Sequence, residues 1–513
     1  MEIVKDILRV EEQKGYERIE SLMETEIYLS QSKPEIDNIL WTDGKIEILS
    51  TKIVQGKVLI NGLAKLKVVY KSNEEELNIY AVETNNDFKE EIEIEGITES
   101  MAVEVKTNLE YIEHELLDER KISLNALINL WARVEETNSV EIIKEVVEKP
   151  DLQVLKEKVK YNDILGREES YALIKEAFEV NDDQPPIDEI LKIDMYPHEK
   201  ELSISADRLI LSGILECSII YFGGNKLNSI NRGIPFTHFI ETENIEYDSK
   251  CKLNMEVENG EYEIRENLEG DLRILDVEAK IKIVPKLYRQ EEKEVIIDAY
   301  SIKEKVDLQT EEIKIMENIK DIVNKEDISK EITGENFKEI YAIEADPRVI
   351  DNQYVEDKIV IEGILALNIY YLNEINDEIS TFKEEVPFKT YVTTEDLGND
   401  AIINTETSLE SLKHNLKDNV LYIDAIVKNN IFIDRERKIN IINDIEENGE
   451  IIDKKDRPSI IVYIIQKDDT LWDIAKRYNT TVDEIIESND IISPPNLMPG
   501  EKIIIEKKVD IDF

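Results

Sequence analysis

The stretch Asp468-Asp469-Thr470-Leu471-Trp472 is where residue types and spacing in this 513-residue chain point most directly to recognition chemistry. Thr470 with Asp473 three residues on forms a capping box that starts a helix at Leu471. Leu471, Ile474, Ala475 and Tyr478 share one face of that helix, and Trp472 lies off it. Its ring is therefore expected to be partly exposed, and a solvent-facing tryptophan without a partner is costly and typical of binding anchors. A catalytic reading finds less. The chain has no G-x-S-x-G, H-E-x-x-H, P-loop or dinucleotide fingerprint. Its four histidines, His114, His198, His238 and His414, lie far apart without ligand spacing. Cys217 reads as a small core residue, and with Cys251 it can supply neither a disulfide framework nor a zinc site; whether the two pair stays open. The acidic runs at 74–76 and 90–95 lack D-x-D-x-D-G spacing and read as solvated faces. The expectation is a non-enzyme with no cofactor and no metal.

Charge narrows the partners. With 63 Lys and Arg against 114 Asp and Glu, the formal charge is 63 − 114 = −51. Duplex binding rests on cations that neutralise phosphates, so nucleic acid is excluded, and anionic lipid surfaces repel the chain likewise. Residues 1–10 already carry Glu2, Lys5, Asp6 and Arg9, which is no signal peptide, and no run of about 18 apolar residues offers a bilayer span. A cytosolic protein with no membrane insertion is expected.

The elements that must position the site come from a repeat. Residues 36–70, 187–221 and 337–371 align over 35 positions without a gap. Gly62, Gly213 and Gly363 coincide, as do Tyr70, Tyr221 and Tyr371. Apolar residues then occupy every second position, as in Ile359, Ile361, Gly363, Leu365, Leu367, Ile369 and Tyr371, which is the period of a strand with one buried face. The central glycine suggests a bulge or bend. Phe88, Phe236 and Phe388 follow, then more alternating runs, so each unit reads as a β sandwich. The charge-dense links at 135–160 and 300–330 are only loosely periodic and fit either an extra strand pair or a helix. Residues 445–458, apolar-poor with Gly and Pro, read as a flexible tether. The expected organisation is mainly β: repeats at 1–134, 135–300 and 301–440, a linker at 441–459, and a small α+β domain at 460–507.

That last domain has a complete local logic. Residues 460–465 form a strand, the Thr470 box starts one helix, and Thr481 with Glu484 starts a second that buries Val482, Ile485 and Ile486. Pro494, Pro495, Pro499 and Gly500 force a loop, and 502–505 close the βααβ unit. It resembles a LysM domain: Tyr463, Ile465, Asp469, Thr470, Leu471, Ile474, Ala475, Tyr478, Asn496, Leu497, Gly500, Ile503 and Ile505 match that family's pattern. Asp468 stands where the family has Gly. The resemblance implies binding of N-acetylglucosamine-containing glycans through two loops. Here they comprise Asp468, Asp469, Thr470, Leu471 and Trp472, then Asn489, Asp490, Ile491, Asn496 and Leu497. Capping and packing alone explain Thr470, Leu471 and Ile474.

The triplicated unit ahead of one LysM resembles the SPOCS-domain proteins of spore-forming Firmicutes, through its D-I-L echoes, the 33–40 segment and the Gly-centred strand ending in Tyr. That resemblance implies a mother-cell cytosolic scaffold at the forespore surface, working with the coat-basement ATPase (SpoIVA-like) that the LysM contacts. The alternative is a peptidoglycan-binding LysM protein of the cell or spore wall, against which the lack of a signal peptide argues.

Overall fold

The computed structural model describes residues 2–73, 79–205, 207–242, 245–246, 248–395, 397–398, 400–453, 458–489, 491 and 498–506. The acidic run at 74–76 lies outside them. Unit one comprises β1 (Glu2–Tyr28), β2 (Ile36–Val54), β3 (Lys57–Ser72), β4 (Ile79–Glu93), β5 (Ala102–Asp118) and β6 (Lys121–Val147). Unit two has β7 (Leu152–Arg167), β8 (Ser170–Glu179), β9 (Glu189–Ser205), β10 (Arg208–Gly223), β11 (Lys226–Glu241), β12 (Lys250–Glu266) and β13 (Leu272–Ser301). Unit three has β14 (Glu304–Ile332), β15 (Phe337–Val355), β16 (Lys358–Asn373), β17 (Ile379–Thr393), β18 (Ala401–Lys417) and β19 (Val420–Ile451). Last come β20 (Ile460–Ile464), α1 (Leu471–Arg477), α2 (Val482–Asn489) and β21 (Lys502–Glu506).

Each unit is two antiparallel sheets face to face, in the orders β2-β3-β4 and β1-β6-β5 in unit one and likewise in the others. In unit two the outer strand is split, and both β7 and β8 pair with β13. The alternating strands supply the core: Val58, Ile60, Leu66 and Val68 of β3 pack with Ile122, Leu124, Ile128 and Leu130 of β6, all essentially solvent-free. Period-2 alternation is therefore a report of which face meets the opposite sheet.

The repeated glycine makes room for an aromatic ring. Gly62, Gly213 and Gly363 pair directly with Phe88, Phe236 and Phe388 on the next strand. A Cβ at Gly363 would stand 2.3 Å from Phe388 Cζ, and at Gly213 2.4 Å from Phe236 Cζ. A bulge accompanies each glycine, but on the neighbouring strand: the register skips Leu49, Lys200 and Ile350 opposite the three. A second set of bulges, at Leu40, Leu191 and Tyr341, turns these side chains into a shared apolar hub with Trp41, Ile220 and Tyr370.

At that hub equivalent positions of the three units meet. Asp43, Asp194 and Glu344 fall at one place in the repeat, and all three surround the Lys192 ammonium at 3.0, 3.3 and 3.1 Å. The Lys192 side chain is only 8% exposed. Trp41, Lys192 and Ala342 also share one repeat position, so only unit two supplies a cation. Tyr370 completes the cluster by donating to Glu344 Oε2 at 3.2 Å and meeting the Trp41 ring edge-on at 5.2 Å. A second apolar cluster joins the other sheets, with Leu8 and Ile142, Val159 and Val295, and Ile313 and Ile441 from the three units.

The domain limits differ from those expected. The limit at 134/135 falls inside β6, and the charge-dense links are strands, not helices. Residues 441–451, expected as linker, complete β19, where Ile441 and Ile442 are buried against the neighbouring units. Alternation is loose there because bulges interrupt the register and packing against two other units leaves neither face uniformly apolar. First and last strands of each unit pair (β1 with β6, β7 with β13, β14 with β19), which brings the ends of all units together. There Lys149 bridges Asp151, Glu304 and Glu447.

Two outcomes follow from this packing. Gly363→Val drives a methyl into the Phe388 ring and should lower stability by roughly 1–3 kcal/mol, with Phe388→Ala recovering part of the loss in denaturant titrations. The Asp194 carboxyl is pushed up to about 7, by burial first, then by repulsion from Glu344 and Asp43, with Lys192 opposing. Its folded value exceeds its unfolded one, so the folded chain holds a proton that the unfolded chain releases. That stabilisation is complete below the ordinary carboxylate range and is lost as pH rises through about 7. Thermal unfolding followed from pH 6 to pH 8 should therefore show a falling midpoint, and Asp194→Asn should flatten that slope.

Candidate functional site

The site is built on the C-terminal βααβ unit. Its core is Tyr463, Ile465, Leu471, Ile474, Ala475, Ile485, Ile503 and Ile505, contributed by the inward faces of β20 and β21 and by both helices. Thr470 caps α1 by accepting from Asp473 N at 3.1 Å, and Thr481 caps α2 by accepting from Glu484 N at 3.0 Å. Both N-caps form where the sequence places them, and at α2 Glu484 completes the box by accepting from Thr481 N at 3.2 Å.

The first loop is locked from within. The Asp469 carboxylate accepts from Gln466 N at 2.8 Å and from the Tyr463 hydroxyl at 2.7 Å, and these bonds hold it below the usual carboxylate range. Arg477 in turn donates to the Tyr463 oxygen at 2.9 Å. Asp468 has φ of 69°, the left-handed region that favours glycine. The family's glycine thus answers to this turn geometry, and Asp tolerates it better than most residues. Asn489, expected at the second loop, is a brace: its amide donates to Ile485 O at 2.8 Å and Ile504 O at 2.6 Å, and its oxygen accepts from Ile504 N at 2.6 Å. Ile491 packs on the core. Asp490, Asn496 and Leu497 lie outside the described residues.

Trp472 is half-buried, as its position off the core face requires, and its partner is in the same chain. The indole N–H donates to Asp298 Oδ2 at 2.7 Å. Its ring meets Tyr300 edge-on, with centroids 4.9 Å apart and planes at 68°. Lys476, one helical turn on, donates to both Asp298 oxygens at 2.6 and 2.8 Å. The Tyr300 hydroxyl, 5% exposed as a residue, donates to Thr480 O at 2.8 Å. A bulge at Ile297 sets Asp298 and Tyr300 facing this unit from the end of β13. Sequence reasoning found the tryptophan and missed the dock; an Asp-x-Tyr in a charge-dense strand carries no signal of its own.

The other candidates are spread out. His114 and His414 are exposed on β5 and β18. Both cysteines are free, and burial pushes their thiols up, Cys217 to about 11 and Cys251 to about 12. Ile92 and Ile94 are buried between the alternating acids of the 90–95 run, which is thus one face of a strand and its continuation. Among the described residues no group of three or more His, Cys, Asp or Glu is placed to hold a metal ion, and no helix is long and apolar enough to cross a membrane.

Trp472→Ala should leave the βααβ unit folded but loosen its dock by ~2 kcal/mol, about thirtyfold in the docked-to-released ratio. Limited proteolysis within 452–459 should accelerate accordingly. Ile474→Ala should instead cost ~2–5 kcal/mol and unfold the unit itself, which circular dichroism separates from undocking. Asp468→Gly should be neutral or stabilising by up to about 1 kcal/mol in the same unfolding measurement.

Comparison with known proteins finds matches both in the repeats and in the C-terminal unit. The family model described as SipL, SPOCS domain, matches at residues 35–117, 186–265 and 336–417, and the LysM domain model matches at 463–506. Over 48 residues the chain is 46% identical to the Spore coat assembly protein ExsA of Bacillus cereus. That stretch is 9% of this chain and 8% of that protein, so the chain spans under a tenth of that curated relative. No solved structure matches. Each of the three repeated sandwiches thus carries a SipL-type SPOCS domain, and the docked βααβ unit is a C-terminal LysM domain.

Proposed function

We propose that this protein is a non-enzymatic scaffold of spore envelope and coat assembly, working from the mother-cell cytosol at the forespore surface. Its LysM domain docks it onto the coat-basement layer, with the SpoIVA-like ATPase as partner. The observation that carries this reading is the combination of three SPOCS domains with one LysM domain, beside a stretch shared with a protein named for spore coat assembly. The strongly negative chain suits assembly on protein surfaces, since it is repelled by phosphates and anionic lipid. The structure adds a reason to favour protein over sugar as LysM ligand: Asp469, Thr470, Leu471 and Asn489 are occupied in holding the fold, and Trp472 already reads a protein strand.

A second reading, a LysM that binds peptidoglycan or other N-acetylglucosamine glycan, rests on the LysM match itself. The two separate cleanly. A fluorescent fusion should form a ring around the forespore, and the full chain should retain the basement ATPase from sporulating cells while a chain lacking 460–513 does not. Recovery of the native protein from the medium of intact vegetative cells, or tight binding of the purified chain to N-acetylglucosamine oligomers, would promote the glycan reading.

A further inference from the structure

The contact between the LysM domain and unit two has the character of a detachable joint. Among the described residues no backbone–backbone hydrogen bond joins 460–506 to the repeats. The dock is made by side chains: Trp472 and Lys476 on the Asp298 carboxylate, Tyr300 against the Trp472 ring, one bond from Tyr300 to a LysM carbonyl, and Tyr300 with Ile302 packed on the apolar LysM core. The chain between the two folded parts is short. Strand β19 ends at Ile451, Ile452 N is still held by Lys303 O at 2.9 Å, and β20 begins at Ile460. Residues 453–459 between them can extend at most ~25 Å.

A self-complementary patch pair carried on one chain and joined by a short connection is the arrangement from which domain swapping arises. We infer that the LysM domain can leave its own Asp298–Tyr300 dock and occupy that of a second copy, linking chains head to tail or reciprocally through a contact already present within each one. Both halves of the joint are on every chain, so the partner needs no new surface. The occupant is a second copy because the bulged Asp298-Ala299-Tyr300 strand supplies the carboxylate and aromatic ring that Trp472 and Lys476 engage. The short tether decides when exchange occurs. It holds the LysM at an effective concentration on the order of mM beside its own dock, so dilute chains stay closed. Exchange becomes favourable only where chains are packed at comparable density, as on a surface layer. That last condition rests on the scaffold reading; the exchange itself does not.

A charge swap isolates the trans contact. In Asp298→Lys the LysM meets a like charge at its own dock, and in Lys476→Asp it does the same with the sign reversed. Mixed, each LysM finds an opposite charge on the other chain. Each variant alone should elute as a monomer of 59.6 kDa with its tether cut faster than in the unaltered chain. The equimolar mixture should gain a species of twice that mass by light scattering, and its tether should regain protection. The double variant Asp298→Lys with Lys476→Asp should be monomeric and protected at once, which shows that the swapped pair is accepted within one chain. If that double variant is protected while the mixture stays monomeric and cleavable at several hundred micromolar, the inference is overturned. It is overturned equally if neither single variant exposes its tether, because the contact is then not what holds the LysM. Neither result bears on whether a fluorescent fusion rings the forespore.

Discussion

The pairing of each unit's first strand with its last is the constraint from which the rest follows. Antiparallel pairing of β1 with β6 and of β14 with β19 runs along nearly the whole of these strands, and β7 and β8 divide the same role against β13. A unit so closed begins and ends at one place. The two junctions therefore lie side by side, where Ser301 donates to Asp151 at 2.9 Å and Lys149 gathers acids from units two and three. The LysM domain emerges from the end of β19, beside the end of β13, and there it meets Asp298, Tyr300 and Ile302. Its position follows from strand closure far more than from any property of the LysM domain itself.

Closure also forces the three units to share buried polar chemistry. Equivalent positions converge, so a carboxylate repeated in sequence becomes three carboxylates in one small space. Three such groups cannot all ionise beside one another without a cation or a retained proton. Lys192 supplies the cation, and its ammonium sits well above the usual lysine range, because the attraction of Asp43, Asp194 and Glu344 outweighs the burial that opposes it. Removing one partner of such a cluster leaves an uncompensated buried charge, which costs more than the pair contributes when intact. The repeats have thus diverged at this position: three copies of unit one would bring three carboxylates together with three tryptophans and no cation.

In the LysM domain the same side chains serve fold and recognition, and the division between the two is physical. Asp469, Thr470 and Asn489 spend their polar atoms on backbone groups of their own domain. Trp472 and Lys476 spend theirs on another domain. The outer face of the small sheet, with Ile460, Val462 and Ile464 more than half exposed, is not covered by either.

The sequence by itself determined the repeat, its strands and the two capped helices, because each is written in local periods: side chains alternate across a strand, and caps sit three residues from their partners. It also marked Trp472 as a residue in need of a partner, from its place off the helix face. What the glycines do was only half legible; their recurrence was plain, but the ring that requires them lies on the next strand. The extent of β6 and β19 was hidden, since bulges and packing against two neighbours erase a simple period. The convergence of Asp43, Asp194 and Glu344 was present in the alignment of the copies, yet nothing local tells a shared surface acid from a shared buried one. Only the tertiary structure decided that Lys192 neutralises them and that Trp472 meets Asp298. Those contacts join residues some 150 to 175 positions apart, and their energy depends on geometry that no local pattern encodes.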